Sequence, residues 1–507
     1  MEKKKRAIKN IMFSIIGQCI TICLGLVLPR LYIVSYGSEV NGLLNSLNQI
    51  LVYLSLFEAG IGATSLQALY EPVAKDDWDG ISGILSATNK YYKRAGVFYF
   101  FALIILAAVY PIVVNSKIGF ITIFVATILS GIGNVIMFCF QGKYKVLFQA
   151  EGKVYIITNL STIITILVSI SKIILISQGF DVISVLAVSA ALGLIQTVYI
   201  EWYIKSKYPN LNLKVEPNNG ALNQKNYMLI HQISGLIFQN TDVLIITVFC
   251  GLKVVSVYSI YKLIITHLES ILQIFSNGVN FALGQTFQLD KELYIKQIDL
   301  FEMVYSTLSS TLFLVALRLF VPFVKLYTRG VNDVQYVDTF LALLFVIVAM
   351  LTAMRVPMLL TINYAGHFKQ TTFQTVTESI INIAVSIAGV LRFGIHGALI
   401  GTVVALLYRT NDVIIYSNVR ILKRSAVKTY RFHLINILVA VALWYLYEIC
   451  YPAVDNYAKI LLCGTLLTII SFLCFFGTQM LVNKQERRYI VSLTNKVKEK
   501  RHEPIHK

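Results

Sequence analysis

Charge is scarce in this chain. Asp, Glu, Lys and Arg make up 14% of its 507 residues, where a soluble domain would carry about 25%. The remainder is 56% apolar, with a mean hydropathy of +0.69. The few charges fall in short clusters between long apolar runs, which is the pattern of a polytopic membrane protein. Other absences narrow the function. The seven cysteines contain no CxxC and no Cys/His ligand spacing, so they read as small apolar residues rather than as a disulfide framework or metal site. No GxxxxGK[ST] occurs. Gln141-Gly142-Lys143-Tyr144 and Glu151-Gly152-Lys153-Val154 lack its Ser/Thr and its spacing, so no nucleotide motor is encoded. Neither HExxH nor GxSxG is present. The DxD inside DDWD at 76–79 reads as a solvated acidic turn. A net charge of +18 invites a nucleic-acid reading, but the basic residues form no single patch and sit at the ends of apolar runs.

What is present is a series of membrane-length runs, each needing about 20 residues. About 14 can be placed, near 10–34, 41–69, 92–114, 118–141, 154–177, 182–203, 228–250, 254–283, 298–321, 337–361, 372–391, 397–419, 432–450 and 458–482. MEKKKRAIKN precedes a first run too long for a signal peptide and reads as the inward end of an uncleaved span. With the N-terminus inside, inward segments hold about 32 Lys and Arg against about 6 in outward loops, which places both termini in the cytoplasm. The outward loops are all short, the longest being VPFVKLYTRGVNDVQY, so no catalytic domain is expected outside.

A weak internal repeat relates the two halves. CGLKVVSVYSIYK echoes YGSEVNGLLNSLNQ, and SNGVNFALGQTF echoes EAGIGATSLQALY. The offset of six spans keeps both copies in the same orientation, as in parallel-repeat transporters. The expectation is therefore all-α: two six-helix lobes at 1–215 and 216–425, two accessory spans at 426–482, and a basic cytoplasmic tail at 483–507.

Charges within the spans carry the functional information, because lipid offers an ion no solvation. Each has a bland reading as a side chain reaching the headgroups or as a neutral pair. Lys172 and Arg318, near outer span ends, read as headgroup contacts. Arg355 lies near an inner span end and reads either as a gate of the inner face or as a headgroup contact, in a helix expected to break at Pro357. Glu378 lies in the inner third of its span. Arg409 and Asp412 are three apart and share a helix face. Lys262 and Glu269 are seven apart on one face. Arg30, Glu58 and Asp242 lie deep.

The segments carrying Pro-Arg-Leu-Tyr, Tyr-Gly-Ser-Glu-Val-Asn-Gly and Phe-Glu-Ala-Gly-Ile-Gly, with RVPMLLTINYAGHFKQ further on, resemble bacterial polysaccharide flippases. These export lipid-linked O-antigen, capsule and exopolysaccharide units and belong to one superfamily with MATE drug exporters and lipid II flippases. The resemblance implies alternating access in the bacterial cytoplasmic membrane and no enzyme activity. Its substrate would be an undecaprenyl-pyrophosphate-linked oligosaccharide. It further implies a cavity lined by spans 1, 2, 7 and 8, with Arg30 and Lys262 gripping pyrophosphate. Glu58, Asp242 and Glu269 also face that cavity, Glu58 and Asp242 as candidates for ion coupling. Asn45 and Gln49 would hydrogen-bond sugar hydroxyls, although amides in spans also serve as glue between helices. No cofactor is called for; a proton or sodium gradient is the candidate driving force. A polysaccharide polymerase and chain-length machinery are candidate partners. The competing readings are a MATE-like multidrug antiporter, a lipid II flippase and a polysaccharide polymerase.

Overall fold

The computed structural model describes residues 2–58, 61–114, 116–153, 155–218, 227–450 and 454–492, and no strand occurs among them. The helices are α1 (Glu2–Leu54), α2 (Ile61–Ala74), α3 (Trp78–Val113), α4 (Phe120–Ile136), α5 (Gly142–Ala150), α6 (Tyr155–Ser177), α7 (Val182–Lys207) and α8 (Tyr227–Cys250). They continue with α9 (Leu252–Leu289), α10 (Lys291–Tyr327), α11 (Thr339–Ala365), α12 (Phe368–Phe393), α13 (Ile395–Tyr416), α14 (Val427–Cys450) and α15 (Tyr457–Val482). Among the described residues twelve helical stretches, all from Trp78 onward, are long and apolar enough to cross a membrane, and they coincide with the third to fourteenth expected runs. This is a multi-pass membrane protein. Large apolar side chains stand exposed along these helices, among them Ile112, Ile121, Val198, Leu391 and Leu461. Lipid tails accept such surfaces as readily as a protein core would.

The first two expected runs fall in α1 and α2. The polar turn between them is a single residue: Gly37, at φ 84° and ψ 169°, interrupts an otherwise continuous α1. Glycine reaches that conformation without a Cβ clash. Beyond Leu54 the chain tightens into a short 3-10 turn, Ser55–Glu58, before α2 begins at Ile61. Glu58 thus lies at a break in the second run; its side chain, and the Ala59-Gly60 that follow it, lie outside the described residues. So does the tail from 493 onward.

Pro357 does not end its helix, contrary to the expectation for an isolated one. α11 runs through it to Ala365. The proline takes the partner from the Ala353 carbonyl four residues back, and within a membrane surrounding helices hold such a helix together: Thr410 donates to the Leu351 carbonyl at 3.0 Å and Ser417 to the Met358 carbonyl at 2.9 Å, on either side of Pro357.

Packing divides the chain into two compact units, one of Met1–Ile260 with Gly330–Val334, the other of Tyr261–Arg329 with Gln335–Lys507. The first unit is built on two apolar cores. One gathers Leu51, Tyr92, Tyr99, Leu103, Phe138 and Phe148; the other Tyr32, Leu43, Leu47, Tyr110, Val185 and Leu252. Asp333 joins this unit by accepting from the Ser38 N–H at 3.0 Å and the Ser38 hydroxyl at 2.6 Å, just past the Gly37 break.

In the second unit α12 and α13 touch along glycine. A Cβ on Gly397 would stand 2.1 Å from the Gly389 carbonyl, and one on Gly401 would stand 2.4 Å from the Ser386 amide nitrogen. The accessory helices α14 and α15 are fastened at both ends. An apolar cluster of Leu314, Val315, Leu443, Tyr447, Leu467 and Phe475 holds them to α10, and Arg318 pairs with Glu448 at 2.7 Å instead of reaching for headgroups. At the opposite end of α10, Asp299 accepts from Lys428 at 2.6 Å and pairs with Arg424. Lys428 also meets Glu486 at 2.6 Å, and Arg424 lies 3.8 Å from Glu302. Three carboxylates and two cations therefore tie α10, α14 and the segment after α15 together.

Candidate functional site

The candidate residues fall into two groups, one in each unit. In the first unit Arg30 sits half-buried on α1. One face of the same helix carries a chain of amides and hydroxyls. Asn45 donates to the Asn41 carbonyl at 2.8 Å, Asn41 donates to Ser256 at 2.7 Å, and Ser46 bonds Thr247 at 2.8 Å. The Ser46 and Asn41 bonds join α1 to α8 and to the first turns of α9, while the Asn45 bond stays within α1. Gln49 is half-buried on the same helix, and its carboxamide oxygen accepts no hydrogen bond among the described residues. Asp242 is buried in α8 and accepts from the Tyr258 hydroxyl at 3.2 Å. Beside it, Tyr53 bonds Thr241 at 2.9 Å.

The second unit holds the denser constellation. Glu378 of α12 is buried and receives Arg355 of α11 at 2.6 Å; Arg409 of α13 lies 3.6 Å from its other oxygen. Arg409, itself 3% exposed, also pairs with Asp412 one turn on and donates to Thr375 at 2.9 Å. Two arginines and two carboxylates thus neutralise one another across three helices, as buried charge must. The four residues expected to gate or to stabilise are a single cluster.

Next to it opens a cavity of about 320 Å³, lined by Glu269, Leu272, Gln273, Ser276 and Asn277 of α9, Tyr305 of α10, and uncharged residues of α11 from Ala349 to Leu360. Glu269 faces it with Lys262 and Arg355 both within electrostatic range of its carboxyl. Lys262, Glu269, Arg355, Glu378, Arg409 and Asp412 therefore belong to one polar region of this unit. Arg30, Asn45, Gln49 and Asp242 belong to the other unit. Among the described residues no group of three or more His, Cys, Asp or Glu is placed to hold a metal.

Several residues here escape a reading of the sequence. Asp299, Glu302 and Glu486 sit where an expected span begins or has just ended, and charge there reads as headgroup contact. Their burial would be signalled only by the cations Arg424 and Lys428 falling at the inner end of a distant span. The Asp338–His396 pair, 2.7 Å apart between the starts of α11 and α13, is hidden for the same reason.

No known protein-family profile matches the chain, and no curated protein matches its sequence. Solved structures do match its fold. A lipid II flippase, MurJ, in an inward closed conformation superposes with a TM-score of 0.66 at 13% identity, over 93% of this chain and 99% of that one. An inward-facing MATE family multidrug resistance transporter of the MOP superfamily gives 0.63 at 15% identity, over 82% of this chain and 99% of its own. A MOP superfamily transporter from Pyrococcus furiosus, described as having a binding pocket of reverse polarity, gives 0.52 at 12% identity, over 82% and 95%. The chain has the fold of these transporters.

Proposed function

We propose that this chain is a flippase that moves an undecaprenyl-pyrophosphate-linked oligosaccharide from the inner to the outer leaflet by alternating access, for the assembly of a surface polysaccharide. The observation that carries this reading is the polar region of the second unit, where Glu269 lines a cavity within membrane-spanning helices and Arg355, with Glu378 and Arg409, forms a charged cluster on the adjoining helices. Charge is tolerated at such depth for a task. A diphosphate crossing a bilayer needs cations with hydrogen bonds to offer, and arginine supplies both in a fixed fork. The polyprenyl tail would remain in lipid throughout. Arg30 is the corresponding cation of the first unit.

The extent of the structural matches supports a lipid-linked substrate over a drug. The lipid II flippase spans 93% of this chain and the MATE transporter 82%. The difference is about 55 residues, enough for two membrane helices and a loop. The same match favours one second reading, that the headgroup carried is lipid II itself. In either case the Lys and Arg bias supports cytoplasmic termini. A proton or sodium gradient would drive the cycle, and a polymerase would receive the product.

A leaflet assay tests this. The gene is deleted in its host, and the accumulated polyprenyl-linked species is identified and assigned to a leaflet. Repeat-unit carrier should accumulate on the cytoplasmic side and be cleared by the wild-type gene. Arg30→Ala should slow clearance roughly tenfold to a hundredfold, the worth of one charge-assisted hydrogen bond. Accumulation of lipid II would establish the second reading. Drug sensitivity without any accumulation would sink both.

A further inference from the structure

The polar surface of α9 does not end at the charged cavity. Glu269, Gln273, Asn277, Asn280, Gly284 and Gln288 succeed one another in steps of four, four, three, four and four, which keeps them on one helix face. At 1.5 Å per residue the stripe from Glu269 to Gln288 is about 28 Å long, close to the thickness of the hydrocarbon layer. Its first half borders the charged cavity. Its second half borders another, larger one of about 820 Å³, and Asn277 lines both.

The chemistry changes between them. The larger cavity is lined by Asn277, Asn280, Gly284, Gln285 and Gln288 of α9 and by Tyr364 of α11, with Leu289 at its edge. Four residues with carboxamide side chains line it and, among the described residues, none with a charged one. A diphosphate would find no counterion there, and a lipid tail would strip water from four amides without repaying their hydrogen bonds. A carboxamide presents a donor and an acceptor side by side, matching the paired hydroxyls of a sugar ring. A tyrosine ring offers the flat apolar surface against which the ring's C–H face can lie. The rim is already built. The Tyr364 hydroxyl donates to the Asn280 carbonyl at 3.0 Å, and Gln288 donates to the Tyr364 carbonyl at 3.2 Å. Gly284 leaves room for the ring, since a Cβ there would stand 3.2 Å from it. A pre-formed site loses little freedom on binding.

We propose that this carboxamide-lined pocket at the end of α9 is a subsite for uncharged, hydroxyl-rich sugars. The diphosphate would be left to the cations of the polar region, Lys262 and Arg355. The proposal rests on the flippase reading above and adds where the headgroup's glycan is held.

The test uses the full chain in lipid nanodiscs and, as probe, the soluble oligosaccharide cleaved from the host's own lipid-linked pool. Binding is followed by saturation-transfer NMR. Asn277→Leu/Gln285→Leu is the informative variant, because both side chains are exposed and lie outside the rim bonds that Asn280 and Gln288 make. Wild type should bind the oligosaccharide, and the variant should bind it roughly tenfold more weakly, two neutral hydrogen bonds being lost. Inorganic pyrophosphate should not displace it. No binding by wild type, equal binding by the variant, or displacement by pyrophosphate would each overturn the assignment. The leaflet assay separates the two levels. If the deletion strain accumulates carrier and the variant clears it as wild type does, the pocket assignment fails and the flippase reading stands. If the deletion strain accumulates nothing, the flippase reading fails and the pocket assignment falls with it.

Discussion

Gly401→Val is expected to destabilise the second unit by about 3 kcal/mol or more. Overpacking a tight contact typically costs 1–3 kcal/mol, and here the obstacle is backbone, which cannot rotate away. The first added carbon would stand 2.4 Å from the Ser386 amide nitrogen and 2.6 Å from its Cα, so α12 and α13 must separate. Separation also breaks the bonds that cross the seam: Ser386 to the Ala398 carbonyl at 2.9 Å and Asn382 to Thr402 at 3.0 Å. Inside a membrane each is worth roughly 0.6 kcal/mol. Gly397 and Gly401 are four apart, the small-residue spacing that lets membrane helices meet at backbone distance. SDS-induced unfolding of the purified protein would register the loss. Gly193→Ala in α7, where nothing lies within 4 Å of an added Cβ, is the internal control. It should leave stability unchanged or raise it by up to about 1 kcal/mol, because alanine favours helix. Equal effects of the two substitutions would mean that α12 and α13 do not meet as described.

How far the sequence could be read depended on whether the cause was local. The apolar runs were legible because the bilayer imposes one length and one chemistry on every span, and twelve helices follow from hydropathy alone. Arg409 with Asp412 was legible because a three-residue spacing on a helix is a contact. Arg355 with Glu378 was not, since 23 residues and a turn separate them and only the packing of α11 and α12 on the same helix, α13, brings them to 2.6 Å. The break at Gly37 looked longer than it is, because YGSEVNG is polar throughout and a single φ cannot be read from composition. Pro357 misled in the other direction: a rule for isolated helices gave way to the absence of water. The polar stripe of α9 has a clear period in the sequence. Its distal half falls at and beyond the expected end of a span, where Asn and Gln pass for ordinary interfacial residues.

Glu378→Leu is expected to cost about 3–5 kcal/mol, the usual penalty for taking one partner out of a buried ion pair. Glu378 is buried, 2.6 Å from Arg355 and 3.6 Å from Arg409. Arg409 keeps Asp412 and Thr375 in the variant, while Arg355 loses this carboxylate. Removing both partners should hurt less than the single changes imply. Apolar groups of similar volume in place of a buried pair are often neutral, so Arg355→Met/Glu378→Leu should unfold close to wild type, several kcal/mol better than the summed single variants. That cycle also separates two roles, because stability and export need not recover together. If the double variant unfolds like wild type yet clears lipid-linked carrier at least tenfold more slowly, Arg355 supplies charge to translocation as well as to packing. If export recovers along with stability, the four-residue cluster is a structural neutralisation, and the cations that meet a diphosphate in this unit reduce to Lys262. A Glu378→Leu protein as stable as wild type would mean that the carboxylate does not balance these arginines.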